Sequence, residues 1–324
     1  MLKKSFKVIW LIILLTTIYL LWLNRWWFYD EYRLYGYSPP PAIASIASQD
    51  QLTNYSKTLL YVYHPALEDS VYFNNHCKVT PAAIVLGCTV IGNGIYLYNI
   101  QDPTLNGVEQ VTAAYEMLHV AYSRLSSSQL KTVNQLVMST YDKLSVNNSF
   151  LRTQYQSYLK TEGPGAVVNE MHSTLGTEVS NLPPALENYY KKYFKNRQVI
   201  INFENQYQSV FLARENAIAN DDQQLSSIKS QIDSLFTTMS SEMTNIKNQQ
   251  SNLASLKYNG KYIEYNNQVT PYNSLINLYN GQIATYQELI NQYNTLVGQR
   301  NQIAISENIL SNEINSLSAT APAN

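Results

Sequence analysis

Residues 107–125 read GVEQVTAAYEMLHVAYSRL, and this stretch sets the fold. Val111, Tyr115, Leu118, Tyr122 and Leu125 recur at intervals of three and four, the spacing that lines one face of an α-helix. Gly107 opens the segment. A core-facing helix at this point needs partners, and the chain supplies them on both sides. Upstream, 59–63 and 83–89 are expected as strands, with Gly92, Asn93 and Gly94 turning the chain into a further strand at 95–98. Downstream, helices are expected at 128–144, 148–159, 167–175 and 184–194, with Ser128 as an N-cap and Gly163, Pro164 and Gly165 as punctuation. The reading is an α+β domain over residues 50–198, large enough to bury its own core.

Outside that domain the composition changes twice. Lys3, Lys4 and Lys7 precede an uncharged run at 8–23, followed by Arg25 and the aromatic group Trp26, Trp27, Phe28 and Tyr29. Sixteen residues of helix span roughly 24 Å, short of the ~30 Å of a bilayer core, and a snorkelling Arg25 with interfacial tryptophans makes up the difference. The run is near signal-peptide length, but small-x-small sites first occur around Ala42 to Ala47, too far on for cleavage. Residues 1–29 are therefore expected to be a cytoplasmic tip and an uncleaved, single-pass transmembrane signal anchor. Three lysines before the span against Arg25 after it place the C-terminal region outside the cytoplasm. Pro39, Pro40 and Pro41 and the small residues after them suggest a stiff stalk over 30–49.

Past Arg197 the chain is rich in Gln, Asn and Ser with regularly spaced aliphatics. Leu225, Ile228, Ile232, Leu235, Met239, Ile246, Leu253 and Leu256 fall on the a and d positions of one heptad frame, with Glu242 and Gln249 as polar members. Tyr272, Tyr279, Tyr286 and Tyr293 repeat every seven residues, as do Ile276, Ile283, Ile290 and Val297, flanked by Leu289, Leu296, Ile303, Leu310 and Leu317. Gly260 breaks the first arm, and Thr270 with Pro271 is expected to start the second. An antiparallel coiled-coil hairpin over 199–318 follows, with a disordered tail at 319–324 and a protein partner as its expected ligand.

The charge balance excludes other classes. With 22 Lys and Arg against 23 Asp and Glu, the net charge of -1 gives no basic field for nucleic acid. Lys191, Lys192, Lys195 and Arg197 cluster beside a helix end, where the helix dipole accounts for them. Two cysteines, Cys77 and Cys88, permit one disulfide outside the cytoplasm.

The candidate chemistry lies in Tyr115-Glu116-Met117-Leu118-His119. A zincin helix reads His-Glu-x-x-His, since positions i and i+4 aim two imidazoles at one zinc while the Glu polarises its water. Here a phenol, Tyr115, replaces the first imidazole. Further on, Asn169 to Ser173 and Gly176 to Glu178 add a second helical histidine, His172, and two carboxylates.

These segments, with 102–109, Cys77, the run 85–88, Asn181 to Pro184 and the Gln/Asn-rich hairpin, resemble a group of uncharacterised membrane-anchored bacterial zincin-like proteins with a C-terminal coiled coil. The relatives carry His where this chain has Tyr115. The resemblance implies a zincin-like fold with a small antiparallel sheet, His119 as a zinc ligand and Glu116 as general base. It also implies Glu170 as third ligand, with His172 and Glu178 as alternatives. With one imidazole of the set lost, about a hundredfold in zinc affinity goes with it. A degenerate metallopeptidase, a pseudoenzyme of the cell envelope acting as scaffold through its coiled coil, is the expectation. An active zinc metallopeptidase cleaving extracytoplasmic peptides is the alternative.

Overall fold

A computed structural model describes residues 2–79 and 84–318, with side chains from Trp10 onward. The helices are α1 Leu2–Leu23, α2 Arg25–Leu34, α3 Pro41–Gln49, α4 Asn54–Tyr61, α5 Ser70–His76, α6 Val108–Ser123, α7 Ser127–Ser145, α8 Ser149–Thr161, α9 Val167–Thr177, α10 Pro184–Tyr190, α11 Gln198–Tyr258 and α12 Tyr262–Glu313. Three short strands, β1 Ala66–Glu68, β2 Gly87–Val90 and β3 Gly94–Tyr98, make one sheet in the order β1-β3-β2. The fold is thus mostly helical, with a small sheet and a long C-terminal helical pair. It divides into two compact units, residues 1–210 with 310–324 and residues 211–309.

In the first unit α6 is central. It packs against α9, α4, α3 and the β2–β3 hairpin, and its Ala113, Ala114, Met117, Leu118, Val120 and Ala121 are almost wholly buried. The small residues let neighbours approach closely. Gly176 on α9 is one such approach: a Cβ there would stand 2.5 Å from Leu118 Cδ1 and 2.9 Å from Tyr190 Cε1.

The segment 59–63, expected as a strand, is instead the end of α4 and the turn that follows it. Thr53 caps that helix, its side chain accepting from the Ser56 amide, and Leu59 and Leu60 turn into the core. The aromatic and β-branched residues Tyr61, Val62 and Tyr63 carried the strand signal, but the cap and the buried pair prevail. The β2–β3 hairpin forms at the Gly92-Asn93-Gly94 turn, its partners running from Gly87 with Leu97 to Val90 with Gly94. Ala83, included in the expected strand, lies outside the described residues. The sheet is mixed rather than antiparallel, because β1 pairs parallel with β3.

The stalk expected at 30–49 is not one. Pro41 opens α3, where a proline at the first helical position loses no hydrogen bond, and α3 buries Ile43, Ile46 and Ala47. The cap of α7 is Ser126, in a capping box with Gln129, rather than Ser128. Arg197, read as one of a cluster on its own helix end, is buried. Its guanidinium pairs with Glu187 at 2.6 Å and donates to the carbonyls of Val179 and Ser180, just past α9.

Within the second unit, every residue of the first heptad frame is buried or half-buried, as are the Tyr and Ile rows of the second arm and Leu289, Leu296 and Ile303. Contacts pair Asp222 with Arg300, Phe236 with Tyr286 and Glu242 with Gln282, so numbers rise on one helix as they fall on the other, an antiparallel register. Gln282 Nε2 donates to Glu242 Oε1 at 3.0 Å inside the seam, a polar contact that fixes register at a cost in stability. Gly260, at φ +72°, reverses the chain. The second helix then starts at Tyr262 and not at Thr270, and runs through Pro271. The nucleation signal of the Thr-Pro pair yields to helix propagation from the turn, at the expense of one amide donor.

At the N-terminus no single described helix is long and apolar enough to cross a membrane, but Trp10–Leu23 with Arg25–Leu34 meets that test as a pair bent by 61°.

Candidate functional site

Helices α6 and α9 pass close to one another at Gly176 and bring the candidate residues Tyr115 and His119 against Glu170. Tyr115 and His119, one turn apart, meet edge to face with ring centroids 5.0 Å apart. From α9, the Glu170 carboxylate receives the Tyr115 hydroxyl at 2.8 Å and lies 3.5 Å from His119 Nε2 on the same oxygen. The Tyr115 and Tyr158 hydroxyls are 3.1 Å apart, and Tyr158 reaches Thr174 at 3.1 Å, so the phenol from α8 extends the chain of hydrogen bonds.

Glu116 lies on the sheet side of α6. Its carboxylate accepts from the Thr89 hydroxyl of β2 at 2.9 Å. Gly87 makes that approach possible, since a Cβ there would stand 2.5 Å from Thr112 Cγ2 and 3.1 Å from Glu116 Oε1.

The electrostatics follow from burial and from the shared charges. Burial pushes the Glu116 carboxyl up to about 7, against the pull of His119 and the Thr89 hydrogen bond. For His119 burial acts downward, but the hydrogen bond to Glu170 and the charges of Glu116 and Glu170 outweigh it and raise the imidazole to about 9. Glu170 is held below its ordinary value: burial would raise it, and its hydrogen bond and ion pair with His119 prevail. These shifts favour an imidazolium paired with the Glu170 carboxylate, which the Tyr115 phenol also solvates.

The two alternative ligands go elsewhere. His172 lies two residues from Glu170, a spacing that sends side chains to different helix faces. Its ring is fully buried among Tyr122, Tyr189 and Tyr190, with Nε2 3.0 Å from the Tyr189 hydroxyl. Burial, and then the charge of His119, push it down to about 3, so it stays neutral. Glu178 lies past the end of α9, where burial and the neighbouring Glu204 of α11 raise both it and, by burial, Glu204. Two carboxyls in one buried place each oppose the other's ionisation.

This arrangement does not fit a zinc ion. Among the described residues no group of three or more His, Cys, Asp or Glu side chains is set to hold a metal. The Glu170 oxygen that would face a cation already takes a phenol proton and an imidazolium. What a divalent ion would neutralise is neutralised from within. Chemically the cluster can hold and redistribute protons, with Glu116 poised near neutrality.

Sequence reasoning named Tyr115, Glu116, His119 and Glu170; the structure joins Tyr115, His119 and Glu170 at one carboxylate oxygen, while Glu116 turns to Thr89. It missed Thr89, Tyr158 and the Glu178–Glu204 pair, whose partners lie far apart in sequence and carry no periodic signal. Cys77 and Cys88 form a disulfide across 5.8 Å between Cα atoms, next to Thr89 and within a small second core of Phe73 and Tyr98. No protein-family model, curated protein or solved structure matches this chain.

Proposed function

We propose that this chain is a membrane-anchored, extracytoplasmic protein with a zincin-like but catalytically degenerate body, which acts as a scaffold or interaction protein of the cell envelope through its helical pair. The observation that carries the reading is the Tyr115 hydroxyl donating to Glu170 at 2.8 Å: the phenol takes the place of the missing ligand and closes the site on itself. The disulfide supports an oxidising compartment. The exposed run of α1, from Trp10 at 60 % to Leu23 at 51 %, supports a lipid environment for the anchor.

The tyrosine rows are half-buried inside the helical pair, so they stabilise it rather than recruit a partner. The surface left for a protein partner consists of outward residues such as Leu212, Leu278, Ile305 and Ile309.

The test is metal analysis and peptide hydrolysis by the purified chain and by Tyr115→His, each expressed with added zinc. The natural chain is expected to hold only trace zinc and to cleave nothing, while Tyr115→His gains zinc by restoring the second imidazole one turn from His119. Stoichiometric zinc with turnover in the natural chain would overturn the degenerate reading. A partner that survives deletion of residues 211–309 would overturn the scaffold role of the helical pair.

A further inference from the structure

Helix α2 has two unlike faces. One is bound to the body. The Arg124 guanidinium grips the Asp30 carboxylate with two bonds of 2.7 and 2.8 Å while lying 4.8 Å from the Trp26 ring centroid and 5.8 Å from that of Tyr29. Arg33 donates to the Val62 carbonyl at 2.9 Å and to the Asn93 carbonyl, in the β2–β3 turn, at 2.8 Å. His64 closes the junction with its Nε2 2.7 Å from the Arg33 carbonyl.

The other face holds Trp27, Phe28, Glu31 and Tyr32, with Tyr35 just beyond the helix. Trp27 is 58 % exposed, Phe28 45 %, Tyr32 80 % and Tyr35 92 %. Four aromatic side chains on one open face are costly in water. Next to them, at the hairpin turn that Arg33 holds, Ile91 is 63 % exposed.

We infer that α2 is an interfacial helix, with Trp27, Phe28, Tyr32 and Tyr35 seated in the phospholipid headgroup layer, so that the body is clamped at a fixed attitude on the bilayer surface instead of swinging on a linker. The inference rests on the membrane anchoring proposed above. Three observations select a bilayer as the occupant. The face follows directly on the apolar α1, broken from it by only Asn24. With the span tilted by roughly 30°, within the usual range, a 61° bend lays the second helix along the bilayer surface. Tryptophan and tyrosine, with an arginine at the junction, are the residues that settle at the headgroup level. Arg25 fits that level, its guanidinium 4.7 Å from the Trp22 ring centroid and 5.4 Å from that of Trp26. Glu31 on the same face limits depth and favours a shallow seat over burial among acyl chains.

The test uses the full chain in vesicles of phosphatidylethanolamine and phosphatidylglycerol, with a nitroxide on a single added cysteine. The two native cysteines are bonded to each other and do not compete. Labels replace Leu14, Trp27, Phe28, Tyr32, Tyr35 and Val146 in turn, and collision with oxygen against a water-soluble nickel chelate reads depth. The expected result is a deep label at 14, shallow but lipid-contacting labels at 27, 28, 32 and 35, and a fully aqueous label at 146, with the oxygen-to-nickel ratio several-fold higher at 28 than at 146. A deep label at 14 with labels at 27, 28, 32 and 35 as aqueous as that at 146 refutes the interfacial seat and leaves the anchor standing. An aqueous label at 14 removes the anchor and the inference together. If one labelled variant fails to fold, the remaining positions of the same face give the same reading.

Discussion

Replacing Tyr115 by Phe removes one oxygen from the centre of the α6–α9 junction and leaves the ring in place. The lost contact is a 2.8 Å hydrogen bond to an ionised, mostly buried carboxylate, the kind that contributes ~1.5–3 kcal/mol. Tyr158, 3.1 Å away, loses a partner as well, although its contact with Thr174 at 3.1 Å remains. His119 stays to balance Glu170, which keeps the cost at the level of a hydrogen bond and below that of an orphaned buried charge. A loss of ~2–3 kcal/mol is expected, or a fall of about 5–10 °C in the melting of a unit of this size. Urea unfolding followed by near-UV circular dichroism measures it, and a double-mutant cycle with Glu170→Gln isolates the pair. A loss under ~0.5 kcal/mol, or a coupling energy indistinguishable from zero, would show that the phenol is a bystander and that the site is not closed by it.

Three further outcomes are expected. His119 titrates near 9 in the folded chain against 6.5 unfolded, so its contribution, at most ~3 kcal/mol, is full below pH 6.5 and disappears as pH rises through 9. Unfolding curves of the natural chain should therefore weaken across that window relative to those of His119→Gln. Asp50 is wholly buried with neither carboxylate oxygen hydrogen-bonded, and burial raises its pKa, so the folded state keeps the proton and stability falls as pH climbs above 3.8. Asp50→Asn should flatten that fall and melt higher at pH 7, and an equal or lower melting point there would contradict the assignment. Gly176→Ala forces a methyl to within 2.5 Å of Leu118 and should cost ~1–3 kcal/mol by overpacking, read in the same urea titration.

The helical pair was the most legible part of the chain because a seven-residue period is a property of the side chains alone. Leu225 to Leu256 therefore all fall inward as the frame requires. The start of the second arm was misplaced for a local reason: Thr270-Pro271 is a valid helix opening, but the turn at Gly260 had already nucleated the helix eight residues earlier. Pro41 shows the reverse. Three prolines followed by small residues have the composition of a stalk, yet the same Pro41 at a first helical position with Ile43 and Ile46 behind it is the start of a core helix.

The candidate site was half visible. Tyr115 and His119 stand one turn apart on one helix, so their shared face follows from spacing. That Glu170 rather than His172 or Glu178 meets them is decided by which face of α9 touches α6, which depends on Gly176 and long-range packing. The Thr89 contact with Glu116 depends on Gly87, two residues back in the same strand, letting β2 approach α6. No pattern in a single sequence reports either.

The bridge between Cys77 and Cys88 closes a loop of about a dozen residues, a link that in chain-entropy terms contributes roughly 3 kcal/mol by restricting the unfolded chain. Its downstream end is the immediate neighbour of Thr89, the residue that donates to Glu116. Reduction therefore slackens the strand that carries this donor, and the proton affinity of a buried carboxyl on α6 becomes linked to the thiol poise of the compartment the chain inhabits. Material prepared in a reducing cytosol and material prepared by secretion should differ most at that junction.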